Sequence, residues 1–173
     1  MRSPKKQTTQ TYTKRVDHLA GSHRPPQAMT EPAVCQVCGD VYADRRWTRP
    51  DVDRQRENHP HFRAATAVIC PACKRQADKI PSGYVHISGS FFAAHHDDIT
   101  RLIHNEAERA AEDNPLARIM ESKEEGGDHL TLTTTTEHLA QRLGHALEKA
   151  YDGDIRYDFS HENKLAHVYW QRS

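Results

Sequence analysis

Two short stretches, Cys35-Gln-Val-Cys38-Gly39 and Cys70-Pro-Ala-Cys73-Lys74, hold all four cysteines of this chain. Each pair has two residues between its cysteines, a spacing that lets one tight turn direct both sulfurs at a single metal ion. Gly39 follows the second sulfur directly and permits the positive φ that such a turn often requires. The two pairs therefore predict one metal centre with four ligands: Cys35, Cys38, Cys70 and Cys73.

Zinc is the ion that this ligand set favours. Four thiolates fill a tetrahedral Zn²⁺ shell and leave no open position for water, so the predicted ion is structural rather than catalytic. Its binding free energy of about 10–16 kcal/mol becomes folding free energy for a module that is unstable alone. The sequence also lacks a Gly-rich phosphate loop and a nucleophile elbow. We therefore expect a zinc cofactor and no enzymatic activity.

Three alternatives to four-cysteine zinc remain open. The gap of 31 residues between the pairs exceeds the usual 15–20 of a Cys₄ module and requires an inserted loop. His59 or His61 in that loop offers a replacement for one cysteine. One pair alone offers dithiol chemistry, although a thioredoxin-like site leaves the second pair unexplained. An iron–sulfur cluster accepts the same four cysteines, but paired knuckles favour zinc.

Composition supports a small core that is assisted by a metal. Hydrophobic residues make up 36% of the 173 residues and charged residues 28%, so apolar material for one large core is scarce. No apolar run approaches the roughly 18 residues of a membrane span, and no apolar leader opens the sequence. We therefore expect a cytoplasmic protein without a membrane partner.

Changes in composition divide the chain into three parts. Residues 1–32 are rich in Lys, Arg, Thr, Gln and Pro and are expected to form a disordered basic tail. Residues 33–80 form the predicted Cys₄ module, which we expect to be zinc-ribbon-like, and residues 81–173 a small α+β domain. Residues 1–80 carry 15 Lys and Arg against 8 Asp and Glu, a net of +7, whereas residues 81–173 carry 9 against 16, a net of −7. This imbalance indicates that the first half meets an anionic partner.

The third part has alternating strand patterns and helical patterns. Its predicted elements are a strand at 84–87, a helix at 97–113, a strand at 130–134, a helix from a capping box at Thr134 and Glu137 to Gly153, and strands at 155–159 and 165–170. The order is β-α-β-α-β-β. An α+β sandwich with two helices on one face of a small sheet fits this order best.

Basic and aromatic residues surround both cysteine pairs. Arginines fork onto phosphates and stack on bases, and an indole offers a stacking plate, so these residue types together indicate an RNA-binding face. The alternative is a solvated surface with the indole in a minor core. The candidate RNA contacts are Arg45, Arg46, Trp47, Arg49, Lys74, Arg75 and Lys79.

Several of these motifs resemble a known family. The matching stretches are Pro32-Ala-Val-Cys35, Cys38-Gly39-x-x-Tyr42, Arg46-Trp47, Cys70-Pro71-x-Cys73 and Pro81-x-Gly83-Tyr84. They resemble an uncharacterised bacterial zinc-binding family, which is in turn similar to the nonsense-mediated-decay-three family of large-ribosomal-subunit adaptors. The stretches 119–128 and 138–143 are similar to the adaptors' glycine-aspartate strand and following helix. The adaptors carry more Cys-x-x-Cys pairs and longer C-terminal domains than this chain.

The resemblance implies association with the ribosome or ribosomal RNA through the zinc module. We therefore expect a non-catalytic zinc protein that associates with ribosomes, with the acidic part turned outward or docked on basic ribosomal proteins, and no small-molecule substrate. Stabilising or silencing ribosomes under stress is the role that family logic suggests. A zinc-ribbon DNA-binding transcription regulator and a protein-interaction scaffold are the alternatives.

Overall fold

A computed structural model describes residues 29–50, 65–160 and 164–173. The expected tail therefore lies almost wholly outside the described residues, as do residues 51–64 of the loop between the cysteine pairs. The described chain forms two sheets, each with its own cluster of buried apolar side chains. The first sheet carries the cysteines, and the second belongs to a larger helix-covered unit.

The first unit is a four-stranded sheet followed by one helix. Its elements are β1 (Ala33–Cys35), β2 (Val41–Ala43), β3 (Arg46–Thr48), β4 (Thr66–Val68) and α1 (Pro71–Asp78). The strand order is β3-β2-β1-β4, in which β1 pairs antiparallel with β2 and parallel with β4. The second cysteine pair lies at the start of α1, so the expected zinc ribbon is not confirmed.

The second unit is a five-stranded sheet with its helices on one face. Its elements are β5 (Gly83–Ser88), α2 (Ser90–Ala94), α3 (His96–Asp113), β6 (Ile119–Glu125), β7 (His129–Thr134), α4 (Glu137–Tyr151), β8 (Asp154–Ser160) and β9 (Leu165–Gln171). The strand order is β6-β7-β5-β9-β8, with β5 and β9 parallel and the other pairs antiparallel.

Strict alternation on the central strands builds the core of the second unit. On β5, Val85 and Ile87 point inward and are fully buried, and Val168 and Trp170 on β9 do the same. The apolar positions of α4 recur at one-turn intervals and pack against the buried side chains of the sheet. None of the described helices is both long and apolar enough to cross a bilayer.

The mixed α/β character matches the expectation, but the predicted element order is wrong in two places. The strand β6 was not predicted, because its residues after Met120 are all exposed and show no apolar alternation. The short helix α2 was also missed. The capping residue of α4 is Thr136 rather than Thr134: the Thr136 hydroxyl accepts a hydrogen bond from the N–H of Leu139 at 3.2 Å. Thr134 is instead the buried last residue of β7.

A glycine in the middle of α4 sets how closely this helix approaches the sheet. A Cβ at Gly144 would lie 2.5 Å from Cγ1 of Val168, which is fully buried on the central strand β9. We expect Gly144→Ala to lower the free energy of unfolding by about 1–3 kcal/mol through overpacking. Helix propensity alone predicts the opposite sign, a gain of about 1 kcal/mol. Urea denaturation followed by far-UV circular dichroism measures the sign, with Ala150→Gly at an exposed position of the same helix as calibration. Unchanged or raised stability in Gly144→Ala would contradict the close packing.

Candidate metal centre

The structure brings the four cysteine sulfurs into one cluster. The sulfurs all lie within 4.8 Å of one another, and Cys38 Sγ and Cys70 Sγ are 3.7 Å apart. A tetrahedral shell with Zn–S bonds of about 2.3 Å places its sulfurs roughly 3.8 Å apart, so the cluster already has close to the required dimensions. Cys35, Cys70 and Cys73 are buried and Cys38 is half-buried. The four side chains can therefore hold a metal ion, and their chemistry fits zinc.

The first cysteine pair sits on a tight turn at the end of β1. The N–H of Gly39 donates to the carbonyl of Cys35 at 2.9 Å, and the N–H of Cys35 donates to the carbonyl of Asp40 at 2.8 Å. Gly39 has a φ of 81°, which confirms the positive φ expected from its position after the second sulfur. These bonds return the chain on itself and direct both sulfurs to the same side.

The second pair reaches the first through the parallel pairing of β1 and β4. Cys35 lies opposite Val68 in this register, so Cys70 follows only two residues beyond the paired position. The N–H of Cys70 donates to Cys35 Sγ at 3.3 Å, and the N–H of Cys73 donates to Cys70 Sγ at 3.4 Å. Cys70 is also the N-cap of α1, where unpaired N–H groups favour a negative sulfur. The pairing explains how a 31-residue gap is compatible with one site.

Burial and hydrogen bonding shift the pKa values of the thiols in different directions. Burial raises the pKa of Cys35, but N–H donors from Cys70, Cys38 and Val37 outweigh it and bring that pKa to about 6. Burial raises the pKa of Cys38 to about 11, and burial with the neighbouring thiolates raises that of Cys70 further. Without a cation, the four sulfurs therefore do not all ionise together. Binding of a divalent ion must displace protons, so affinity falls as pH falls.

A guanidinium from the second unit completes this environment. Arg118 lies between α3 and β6, and its Nη1 donates to Cys73 Sγ at 3.5 Å. Its Nη2 donates to Oδ2 of the buried Asp40 at 2.5 Å. Burial opposes the charge on Arg118, but the Cys38 sulfur and the Asp40 carboxylate raise its pKa. Leu116 packs in the same apolar cluster as the buried cysteines.

Sequence reasoning missed Asp40, Leu116 and Arg118. The partners Arg118 and Asp40 are 78 residues apart in the chain, and no spacing rule connects them. Asp40 offers one weak signal, because it comes two residues after Cys38 in a turn that directs main-chain groups toward the sulfurs.

The predicted RNA contacts separate into exposed and buried side chains. Trp47 is only 4% exposed and Arg75 only 6%, so neither presents itself to a nucleic acid. The Trp47 ring packs on Tyr42 with centroids 5.3 Å apart, as in the alternative of a minor core. Burial accordingly lowers the pKa of Arg75. The remaining five side chains are exposed: Arg45, Arg46, Arg49, Lys74 and Lys79.

The histidine alternative falls in a segment that the structure does not describe. His59 and His61 both lie within residues 51–64. The four clustered sulfurs are enough to fill a tetrahedral shell without either of them. Sulfurs that all lie within 4.8 Å of one another are spaced for one tetrahedral ion rather than for a cluster of several irons, so zinc stays the chemical prediction.

Comparisons of this chain with known protein families, with curated proteins and with solved structures found no match. The metal centre therefore rests on its own geometry, and the resemblance to the ribosomal adaptors stays an expectation.

Metal analysis of the purified protein tests the four-sulfur site. We expect one zinc per chain in the wild type and almost none in Cys70→Ser, because this change removes a buried ligand that also caps α1. The double variant His59→Ala/His61→Ala is the matched control and should keep one zinc. Loss of zinc in that control, or zinc retained in Cys70→Ser, would contradict a Cys₄ shell. Inductively coupled plasma mass spectrometry supplies both numbers.

The core role of Trp47 makes a separate prediction. We expect Trp47→Ala to lower the free energy of unfolding of the zinc-loaded protein by about 3–5 kcal/mol, as a large cavity in a small core does. Trp47→Phe keeps most of the apolar volume and should cost less than about 1.5 kcal/mol. Urea denaturation gives both values. Equal and negligible losses in the two variants would mean that the indole is dispensable to the core.

Proposed function

We propose that this chain is a non-catalytic zinc-binding protein in which the ion organises the first unit. The cluster of four sulfurs within 4.8 Å is the observation that carries the proposal. Four protein ligands leave a tetrahedral zinc no open position for water or substrate, so its role is structural. The chain then acts by binding a partner, in the cytoplasm.

RNA is the partner that we propose, with the ribosome as its setting. Arg45 and Arg46 are exposed at the turn between β2 and β3, and Lys74 and Lys79 are exposed on and beside α1. The metal ties these two segments together, so their positive charges are held in fixed relation without a large core. A rigid array of exposed cations suits the phosphates of folded RNA.

The open face of the second sheet is less suited to nucleic acid. Its central rings pack against each other: Tyr84 stacks on His167 at 4.7 Å and His86 on Tyr169 at 4.6 Å, with planes within 13°. Their faces are therefore occupied by neighbouring rings rather than open to bases. Four carboxylates share the outer strands of this face with two cations: Glu121, Glu125, Asp154 and Asp158, with Lys123 and Arg156. Stacked rings and carboxylates make this face a poor site for bases and phosphates. We therefore assign the phosphate contacts to the first unit.

The form of the first unit favours RNA over duplex DNA. Its described helix α1 has eight residues and uses Ala72, Cys73 and Arg75 for packing, which leaves a short outer face for a major groove. The acidic second unit would then face away from phosphate, toward basic ribosomal proteins. Protection or silencing of ribosomes under stress is consistent with binding that involves no catalysis.

Co-sedimentation with bacterial ribosomal subunits tests this proposal. We expect zinc-loaded wild type to migrate with subunits at low salt and to dissociate steeply as salt rises, because phosphate contacts release counterions. Arg45→Ala/Arg46→Ala should weaken binding several-fold and reduce the salt slope by about 2.

The matched control also removes two positive charges, but from the second unit. Arg101→Ala/Lys149→Ala changes two exposed cations on α3 and α4 and should bind like wild type. Migration only at the top of a low-salt gradient would contradict the ribosomal assignment. Tighter binding to duplex DNA than to ribosomal RNA fragments would instead favour a transcription regulator. Partner capture that is insensitive to the Arg45/Arg46 change would favour a protein-interaction scaffold.

A further inference from the structure

The metal centre of the first unit includes a charged group that belongs to the second. We propose that Arg118 is a functional part of this centre: it neutralises the thiolate cluster and thereby couples metal binding to the attachment of the two units. The inference depends on metal binding by the four cysteines and is independent of any RNA partner.

Charge balance gives Arg118 its role. A zinc ion with four thiolates carries a net charge of −2, and the buried Asp40 adds another negative charge nearby. Arg118 contacts both, donating to Cys73 Sγ at 3.5 Å and to Asp40 Oδ2 at 2.5 Å. Because water is largely excluded, this positive charge stabilises the anionic cluster much more than an exposed one would.

The second unit holds Arg118 in place before any metal arrives. Its Nε donates to the carbonyl of Pro115 at 2.8 Å, and its main-chain N–H donates to the Thr135 hydroxyl at 2.8 Å. The Thr135 N–H in turn donates a hydrogen bond to the carbonyl of Arg118 at 2.9 Å. Thr135 directly follows β7, so the guanidinium is positioned by the larger sheet. A preorganised group loses little entropy when it acts on the ion.

Leu116 adds an apolar seal from the same segment. It is only 5% exposed and packs in the cluster that contains Cys35, Cys70 and Cys73. The segment 115–118 thus supplies both the cover that excludes water and the charge that compensates the thiolates. Without the ion nothing would hold the four sulfurs together beneath this cover, so contact between the units should weaken. By linkage, losing the contact must weaken metal binding to the same extent.

Competition with a chromophoric zinc chelator measures this coupling on the full chain. We expect Arg118→Met to reduce zinc affinity by about 10–100-fold, the usual effect of removing a group that supports metal ligands. Arg118→Lys should recover part of the loss, since it keeps the charge. Arg142→Met removes an arginine that pairs with Glu106 and Asp113 away from the cysteines, and it should leave zinc affinity unchanged.

A second background separates the sulfurs from Asp40. If Arg118 acts on the thiolates, Arg118→Met should still lower zinc affinity when Asp40→Asn is already present. A loss that vanishes in this background would mean that Arg118 only balances Asp40, and the proposal would be overturned. Unchanged zinc affinity in Arg118→Met would overturn it as well.

Hydrogen exchange on the wild type tests the coupling without any substitution, so it decides the matter if Arg118→Met does not fold. Stripping zinc with a chelator should increase amide exchange at residues 116 and 117, which would lose the cover of the first unit, while the amides of Arg118, Thr135, β5 and β9, which are bonded within the second unit, stay protected. Unchanged exchange at 116 and 117 after verified metal loss would overturn the coupling. Failure of ribosome binding, in contrast, would leave both measurements unaffected.

Discussion

The mutual repulsion of four sulfur atoms in one small space is the constraint on which the first unit depends. The structure brings them within 4.8 Å by main-chain means: a turn after Cys35, a parallel strand pair and the start of a helix. Burial keeps the pKa of Cys38 and Cys70 high, so four thiolates coexist only around a cation. A metal ion held by these sulfurs would supply that cation and would join the turn, the strand pair and the helix of a unit whose apolar cluster is small.

The second unit is stable by a different means. Its central strands alternate strictly, and its helices close one face over a core that includes Val85, Leu143 and Trp170. Its cluster of buried apolar residues is larger than that of the first unit. The segment around Leu116 and Arg118 nevertheless enters the metal environment of the first unit. Through it the cysteine cluster gains an apolar cover from Leu116 and a positive charge from Arg118.

The two units also differ in the side chains that they expose. Exposed cations lie on short segments of the unit that carries the cysteine cluster, whereas the second unit carries mixed charge and rings that stack on one another. Trp47 was a reasonable candidate for base stacking, because an indole among arginines suits a nucleic acid. It lies on the inner side of β3 instead, since strand alternation placed it against Tyr42 in a core that has few other large apolar groups.

The sequence by itself determined the four cysteines as candidate metal ligands, the helices α3 and α4 and the strands with alternating apolar residues. These features follow from spacing and periodicity between near neighbours, which are local properties of the chain. Only the tertiary structure decided the parallel pairing of β1 with β4, the exposed strand β6, the burial of Trp47 and Arg75, and the contact of Arg118 with Cys73 and Asp40. Each of these depends on residues far apart in the chain, or on which face of an element meets a partner. Such choices are made by packing and by the compensation of buried charge, and no local pattern encodes them.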